Sequence, residues 1–262
     1  MGDRGTNPKE NSQLMPLLEV IDLTKDFGGL RANDRISFSL EKEELLGVIG
    51  PNGAGKTTLF NCIAGMYPAS GGRIIFDGED ITALKAFQVA RRGLARTFQV
   101  YTAAGDLSVR ENVMVGCFLR TRSRSSAAAR AETILENLKL QDLAAYLVSE
   151  LPVAAQKRVT MATALGTEPK MLLLDEVAAG LNPGEIDEIM GIIRHIHRDM
   201  AVTVMLIEHV MELVMKISDR VLVLDSGRKI ADGDPQQVAA DPQVIKAYLG
   251  ERYVKEHAGG GL

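Results

Sequence analysis

The sequence is poor in the features that mark secreted, membrane-spanning and nucleic-acid-binding proteins. Its two cysteines, Cys62 and Cys117, are too few and too far apart for a disulfide framework or a metal cluster, so a reducing cytosol is expected. No apolar run approaches the ~20 residues of a membrane span, and the polar N-terminus lacks the apolar core of a signal peptide. A formal charge of −4 gives no general attraction to nucleic acid. Any membrane role is therefore expected to depend on a partner.

What is present suffices for one large globular unit. A chain of 262 residues with 46% hydrophobic content can bury a full core. Residues 1–15 and 252–262 are expected to be unstructured tails, which leaves 16–251 as the folded domain. Strand patterns alternate with helical patterns along most of this domain, as is typical of an α/β fold.

One stretch departs from that alternation. Ser108 and Glu111 form a capping box that predicts the start of a helix. Apolar residues then follow helical spacing at 127–140 and again at 143–148. We interpret this all-helical stretch as a lobe inserted into the α/β pattern. Beyond it, a further helix is predicted over 184–200.

The most specific pattern lies at residues 50–58. An apolar stretch at 44–49 predicts a buried strand before it, and apolar residues after it predict a helix. Strand, glycine-rich loop, Lys-Thr and helix, in this order, form a site for nucleotide phosphates. The glycines let backbone N–H groups converge on phosphate oxygens, Lys56 reaches the β- and γ-phosphates, and the Thr57 hydroxyl is placed to ligate Mg²⁺. This predicted phosphate loop consists of Gly50, Pro51, Asn52, Gly53, Ala54, Gly55, Lys56, Thr57 and Thr58.

Polar residues with catalytic chemistry follow three of the predicted strands. The apolar run 171–174 ends in Asp175 and Glu176, and in parallel sheets ligands bind at this carboxyl edge. Asp175 there would hold Mg²⁺, and Glu176 would polarise the attacking water. Gln99 and His209 also end predicted strands. Gln99 could contact Mg²⁺ or the attacking water, and His209 could donate a hydrogen bond to the γ-phosphate. The alternatives are a helix cap for the acidic pair and ordinary structural positions for the other two.

Phe27 precedes the phosphate loop in the chain. The alternation at 17–23 and 35–40 predicts two half-exposed strands, with Phe27 on the loop between them. An aromatic ring there either stacks on a nucleobase or packs into the core. The residues alone favour the core.

These motifs occur in the order and spacing of an ATP-binding cassette (ABC) ATPase, which the chain resembles over about residues 17–250. The helical lobe lies between Gln99 and Asp175, as in that family. Within the family the chain is most similar to the ATPase subunits of branched-chain amino acid importers. That likeness is carried by the stretches 23–30, 95–99, 178–183, 207–209 and 244–250.

The resemblance implies an α/β fold with a P-loop NTPase (RecA-like) core, an N-terminal antiparallel β subdomain and an inserted α-helical subdomain at about 105–165. It implies ATP and Mg²⁺ as ligands, with Phe27 stacking on adenine. The metal ligands it implies are Thr57, Gln99 and Asp175, and the catalytic residues are Glu176, His209 and Gln99.

The resemblance also implies an activity and partners. The activity is ATP hydrolysis that drives uptake of branched-chain or related amino acids, at the cytoplasmic face of the plasma (inner) membrane. The partners are transmembrane permease subunits, a second ABC ATPase subunit and, indirectly, a periplasmic or extracytoplasmic solute-binding protein, with no nucleic acid. The alternatives are a lipid or lipopolysaccharide export ATPase, a soluble ABC ATPase acting on ribosomes or DNA, and a nucleotide-binding subunit without turnover.

One motif departs from the family pattern. The family carries a Leu-Ser-Gly-Gly-Gln-like signature that reaches across a head-to-tail dimer to the γ-phosphate held by the partner's phosphate loop. Pro152 removes a hydroxyl and a backbone N–H, while Val153 and Ala154 add side chains where glycines allow close approach. We therefore expect a degenerate signature and, with it, a heterodimer with a second ATPase subunit. The matching segment is Leu151, Pro152, Val153, Ala154, Ala155 and Gln156.

Overall fold

The computed structural model of the chain describes residues 15–97, 104–208 and 211–248. Its strands are β1 (Leu18–Phe27), β2 (Leu30–Leu40), β3 (Leu45–Ile49), β4 (Gly71–Phe76), β5 (Glu79–Asp80), β6 (Leu94–Arg96), β7 (Met171–Asp175), β8 (Thr203–Ile207), β9 (Arg220–Asp225) and β10 (Arg228–Gly233). Strands β2, β1, β4 and β5 form an antiparallel sheet in that order. The others form a six-stranded sheet in the order β10-β9-β3-β8-β7-β6, parallel except for β10. The predicted fold class is thereby confirmed.

The helices lie on both sides of the six-stranded sheet. They are α1 (Lys56–Ile63), α2 (Ala86–Arg92), α3 (Val109–Cys117), α4 (Arg124–Asn137), α5 (Val153–Gly166), α6 (Pro183–Arg194), α7 (Met211–Ile217) and α8 (Pro235–Ala240). Residues 242–248 are helical as well. Helices α3, α4 and α5 follow one another between β6 and β7, in the stretch where the sequence predicts the helical lobe. Within the described ranges, no helix is both long and apolar enough to cross a membrane.

The six-stranded sheet is covered on both faces. Along β7, Leu172 and Leu174 belong to a core shared with α3, α4, α5 and α6. Leu173, between them, belongs to a second core that includes α1 and the antiparallel sheet. Parallel strands buried on both faces are apolar at every position rather than at alternate ones, which explains the continuous run at 171–174. The double covering fixes the carboxyl edge of the sheet, where the candidate site lies.

The helical lobe begins with the predicted capping box. The Ser108 hydroxyl accepts a hydrogen bond from the Glu111 N–H at 3.2 Å, and the Glu111 carboxylate accepts one from the Ser108 N–H at 2.9 Å. These reciprocal bonds satisfy two donors that an α-helix leaves unpaired at its start. Helix α3 accordingly begins at Val109.

The prediction of a helix over 143–148 is wrong. The segment contains short 3₁₀ turns, Gln141–Leu143 and Val148–Glu150, and no α-helix lies between them. The carbonyl groups of Ala144 and Tyr146 accept hydrogen bonds from the first residues of α3, both at 3.0 Å. In a helix over this segment the Val148 N–H would donate to the Ala144 carbonyl oxygen, but it donates to the Leu107 carbonyl oxygen at 3.1 Å, so backbone pairing outside the segment replaces the predicted helix.

Two element boundaries also differ from the sequence prediction. Phe27 is the last residue of β1 and pairs with Leu30, so its predicted position on a loop is wrong. The hairpin turns within two residues because Gly28 adopts a positive φ of 57°. The helix predicted over 184–200 ends earlier, as α6, and a π-helical turn, His195–Asp199, follows it.

Candidate functional site

The phosphate loop connects β3 to α1 at the carboxyl edge of the six-stranded sheet. Gly50, Gly53 and Gly55 all have positive φ values, of 151°, 80° and 97°. A Cβ atom on Gly50 would lie 2.1 Å from the Leu224 carbonyl oxygen, and one on Gly55 would lie 2.4 Å from the Ala32 carbonyl oxygen. Only glycine fits these two positions, because the loop is packed directly against neighbouring backbone.

Residues from two other elements hold the loop in place. The Asn33 side-chain amide, on β2, donates to the Gly55 carbonyl oxygen at 3.1 Å. The Gly227 N–H, in the turn between β9 and β10, donates to the Ala54 carbonyl oxygen at 3.1 Å. Asn33 is fully buried and was not predicted to be part of the site. The sequence shows only that a polar residue lies inside a predicted strand, and this does not reveal that its partner is the phosphate loop.

Lys56 lies at the centre of the loop and is only 5% exposed. Its ammonium group donates to the carbonyl oxygens of Gly50 at 2.7 Å and Pro51 at 3.0 Å. Burial lowers the pKa of Lys56, while the negative charges of Glu176 and Asp175 oppose that shift. The ammonium is therefore bonded to the loop and near enough to both carboxylates to interact with their charge.

A cleft of 750 Å³ opens beside the loop. It brings Phe27, Lys56 and Glu176 together, although they lie far apart in the sequence. The Phe27 ring is 42% exposed, which overturns the core position that the residues alone favoured. The Phe27 and Tyr67 rings pack nearly perpendicular to each other with their centres 5.5 Å apart, and the Lys25 ammonium lies 4.7 Å from the centre of the Phe27 ring. The cleft is lined by Phe27, Leu30, Arg31, Ala32, residues 52–58, Glu176, Ser226 and Gly227.

Asp175 ends β7 with a fully buried carboxylate. One of its oxygens accepts a hydrogen bond from the Arg96 guanidinium at 2.7 Å, and the same guanidinium donates to the Asn61 side chain at 2.6 Å. Arg96 lies at the end of β6 and Asn61 on α1, so this bridge ties the acidic strand end to the helix that carries Thr57. Carboxylate and hydroxyl oxygens are the hard donors that Mg²⁺ prefers, so Asp175 and Thr57 fit such an ion.

Glu176 occupies a left-handed backbone conformation, with φ of 51°. Such a conformation costs a residue with a side chain on the order of 1–3 kcal/mol and is concentrated at functional sites. Its N–H donates to the Ile207 carbonyl oxygen at 2.9 Å, which fixes it against the end of β8. The strained turn starts directly after the buried strand and places Glu176 in the wall of the cleft.

Gln99 and His209 lie outside the described residues. The strands that precede them, β6 and β8, flank β7 on its two sides. Thr97 and Glu208, which lie within two residues of them, were not predicted to be part of the site. The Thr97 hydroxyl accepts a hydrogen bond from the Asp175 N–H at 3.3 Å, and the Glu208 carboxylate accepts one from the Ala178 N–H at 2.7 Å.

The segment 151–156, predicted to be a degenerate signature, contains the start of helix α5. Pro152 is the residue before the helix and contributes no capping side chain, and the Val153 side chain is 56% exposed at the first position. The Gln156 side chain turns back to donate to the Leu151 carbonyl oxygen at 2.8 Å. Among the described residues, those that line the cleft of the same chain do not include this segment.

Comparison with known proteins agrees with this geometry. Residues 33–179 match a family model described as ABC transporter, and residues 228–254 match one described as branched-chain amino acid ATP-binding cassette transporter. The high-affinity branched-chain amino acid transport ATP-binding protein BraF of Pseudomonas aeruginosa is 41% identical over 251 residues, which cover 90% of this chain and 98% of that protein. LivG of Escherichia coli K12, which has the same description, is 41% identical with the same coverage.

A solved structure of an ATP-binding cassette of an ABC transporter in its ADP conformation superposes with a TM-score of 0.81. It is 32% identical in sequence and covers 90% of this chain and 100% of its own. This chain therefore shares its fold with a cassette that was solved in its ADP conformation. The family model and the near-full-length relatives show that the chain belongs to the ATP-binding cassette family of ABC transporters and is one of its ATPases.

Proposed function

We propose that this chain energises the import of branched-chain or related amino acids, as a peripheral subunit at the cytoplasmic face of the inner membrane. The observation that carries the choice of solute is the match of residues 228–254 to the branched-chain amino acid cassette model. The relatives BraF and LivG, described as branched-chain amino acid transport proteins, support it because they match over 98% of their length. A lipid or lipopolysaccharide exporter could use the same ATPase core, so the solute needs its own test.

That test is purification of the chain with its partners from native membranes, followed by reconstitution in lipid vesicles. We expect membrane subunits to co-purify and ATP-dependent uptake of labelled leucine or a related amino acid to follow when a solute-binding protein is added. Co-purification with ribosomes, or with lipid-export subunits and no amino acid uptake, would contradict the proposal.

Three features of the cleft contribute to ATP binding in different ways. Phe27 presents an exposed ring on which adenine can stack. A Cβ atom placed on Gly53 would have no neighbouring atom within 4 Å. The space beside Gly53 is therefore open for phosphate oxygens to reach the loop N–H groups. The N-terminus of α1 and the Lys56 ammonium add positive charge at the same place.

Two residues of the proposed hydrolytic set, Thr57 and Glu176, line the same cleft. Thr57, Asp175 and Gln99 would hold Mg²⁺, which when bound neutralises charge on the β- and γ-phosphate oxygens. The Glu176 carboxylate accepts a hydrogen bond from the attacking water and polarises it. His209 and Gln99 complete the proposed set, at the γ-phosphate and the attacking water.

Replacing Lys56 by alanine is expected to raise the dissociation constant for ATP at least about 100-fold. The substitution removes a charge-assisted donor to two phosphates that the backbone loop cannot replace. Equilibrium binding of labelled ATP to the purified chain measures the effect. Lys42→Ala is the matched control, because Lys42 is an exposed lysine outside the cleft. Unchanged ATP affinity in Lys56→Ala would refute the proposed site.

An apolar groove of 510 Å³ offers a docking surface for a permease subunit. It runs between α2, α3 and α5, and three of its large side chains are about half exposed: Met66 by 45%, Phe87 by 55% and Val115 by 57%. Exposed apolar surface concentrated in one concave place is typical of a protein–protein contact. Arg96 also lines the groove, so a bound segment would lie against the residue that donates to Asp175.

Introducing a charge into this groove is expected to detach the chain from the membrane subunits. Val115→Asp places a carboxylate in an interface core, which weakens binding by on the order of 100-fold because the charge loses its water. Co-purification with the permease measures the loss, and ATP binding by the isolated chain should stay within about twofold. Tyr146→Asp, at an exposed aromatic outside the groove, is the control. Equal permease binding by Val115→Asp and wild type would contradict this docking site.

A further inference from the structure

The turn at residues 176–179, which follows β7, is held by side chains from two other elements. Glu176 opens this turn with φ of 51°, an uncommon conformation for any residue other than glycine. Its carbonyl oxygen accepts hydrogen bonds from the Ala179 N–H at 3.3 Å and from the Lys157 ammonium at 3.2 Å. The backbone of the proposed catalytic glutamate is thus bonded to a lysine on α5.

Lys157 spans the whole turn. Besides the Glu176 carbonyl, its ammonium donates to the Ala179 carbonyl oxygen at 2.7 Å, so it joins the first and last residues of the turn. Burial lowers the pKa of Lys157, and the nearby carboxylates of Glu208 and Glu176 oppose that shift. An ammonium with three donors on a long stem is suited to bridging two carbonyl groups in this way.

Glu208 bonds to the middle of the turn. It follows β8 directly and is 2% exposed, and its carboxylate accepts a hydrogen bond from the Ala178 N–H at 2.7 Å. A cation therefore binds the carbonyl groups of the turn while an anion binds one of its N–H groups. These contacts come from helix α5 and from the end of β8, so the conformation of the turn depends on both elements.

We propose that Lys157, supported by Glu208, is a positioning residue that fixes the Glu176 backbone so that its carboxylate faces the cleft. This inference rests on the proposed role of Glu176 in hydrolysis. Lys157 lies one turn after the start of α5, the helix that the degenerate signature opens.

Lys157→Met tests the positioning role, because methionine keeps most of the unbranched stem and removes every donor. We expect kcat for ATP hydrolysis by the assembled transporter to fall about 10- to 100-fold, since small displacements of a catalytic group have effects of this size. The ATP dissociation constant should change by less than about twofold, because Lys157 does not line the cleft. Lys157→Arg, which restores donors and charge, should recover most of the lost kcat. Lys42→Met is the matched control.

A double variant separates positioning from a general structural effect. If Lys157 acts through the Glu176 carboxylate, then Lys157→Met should cost less than about twofold in the Glu176→Gln background, measured in single turnover. Wild-type kcat in Lys157→Met, no rescue by Lys157→Arg, or a full additional loss in the double variant would each overturn the proposal. If the melting temperature shows that Lys157→Met does not fold, Lys157→Gln replaces it. If Glu176→Gln retains wild-type activity, the role of Glu176 fails and the positioning role fails with it. If Glu176→Gln is inactive and Lys157→Met is not impaired, only the positioning role fails.

Discussion

Replacing Glu176 by glutamine is expected to lower kcat for ATP hydrolysis by about 100- to 1000-fold, equivalent to about 3–4 kcal/mol in the activation free energy. The substitution keeps the size of the side chain and its ability to accept a hydrogen bond, but it removes the charge that we propose polarises the attacking water. Glu176 is the carboxylate that follows a buried strand and lines the cleft together with the phosphate loop. Its backbone is fixed by the Ile207 carbonyl, so glutamine should occupy the same place.

Binding should survive the substitution. The proposed contacts of the phosphate loop and Phe27 with the nucleotide do not involve Glu176, so the ATP dissociation constant is expected within about twofold of wild type. Slow hydrolysis should then trap an ATP-bound closed dimer, which size-exclusion chromatography with Mg²⁺ and ATP can detect. Glu188→Gln, at an exposed glutamate on α6, is the control. Hydrolysis by Glu176→Gln near the wild-type rate would show that another group polarises the water.

The parts of the site that could be predicted are those whose causes are local in the sequence. In the phosphate loop, a strand, three glycines with positive φ and a helix start follow one another within about a dozen residues, so one pattern captures them. The acidic strand end was predictable for a similar reason. A strand that is buried on both faces is apolar throughout, and a charged pair at its end is therefore conspicuous.

The parts that could not be predicted depend on contacts between distant segments. Arg96 bonds to Asp175 across 79 positions, and Asn33 bonds to Gly55 across 22. Nothing in the neighbourhood of either donor indicates its acceptor. Phe27 was misplaced because alternation marks a strand but not the length of the turn after it, and here two glycines suffice. The false helix at 143–148 had adequate helical spacing, but hydrogen bonds to α3 determined its conformation.

The segment 151–156 differs from the family signature in the groups that it presents at the start of α5. Helix α5 begins at Val153 without a capping side chain, so its N-terminal N–H groups keep their partial positive charge. What the segment lacks is a hydroxyl at Pro152 and the bare backbone that glycine would give at Val153, whose side chain is 56% exposed. Such a surface retains some affinity for an anion but presents fewer donors, at a greater distance.

Pairing two copies of this chain would place the degenerate signature over both γ-phosphates. Pairing it with an ATPase subunit that carries an intact signature would instead form one complete site, from this chain's phosphate loop and Glu176 and the partner's signature. The second site would combine the partner's phosphate loop with the segment 151–156. Losing one or two charge-assisted hydrogen bonds to the transition state costs on the order of 2–4 kcal/mol, so the second site should turn over about 30- to 1000-fold more slowly.

We therefore expect the two catalytic glutamates of the assembled transporter to be unequal. Glu176→Gln in this chain should remove nearly all ATPase activity, whereas the corresponding change in the second ATPase subunit should remove little. Rapid hydrolysis by this chain alone, or equal losses from the two changes, would rule out an asymmetric pair.

Repairing the segment gives the complementary test. The triple substitution Pro152→Ser, Val153→Gly and Ala154→Gly restores a hydroxyl and close backbone approach at the start of α5. If the missing donors cause the asymmetry, the repaired transporter should gain a second working site, and the partner's glutamate should then matter as much as Glu176. The single change Val153→Ala, which shortens the exposed side chain without adding a donor, is the control and should leave the asymmetry in place. A repaired transporter that still depends on Glu176 alone would locate the asymmetry outside residues 151–156, because the segment would then resemble the family signature without restoring turnover.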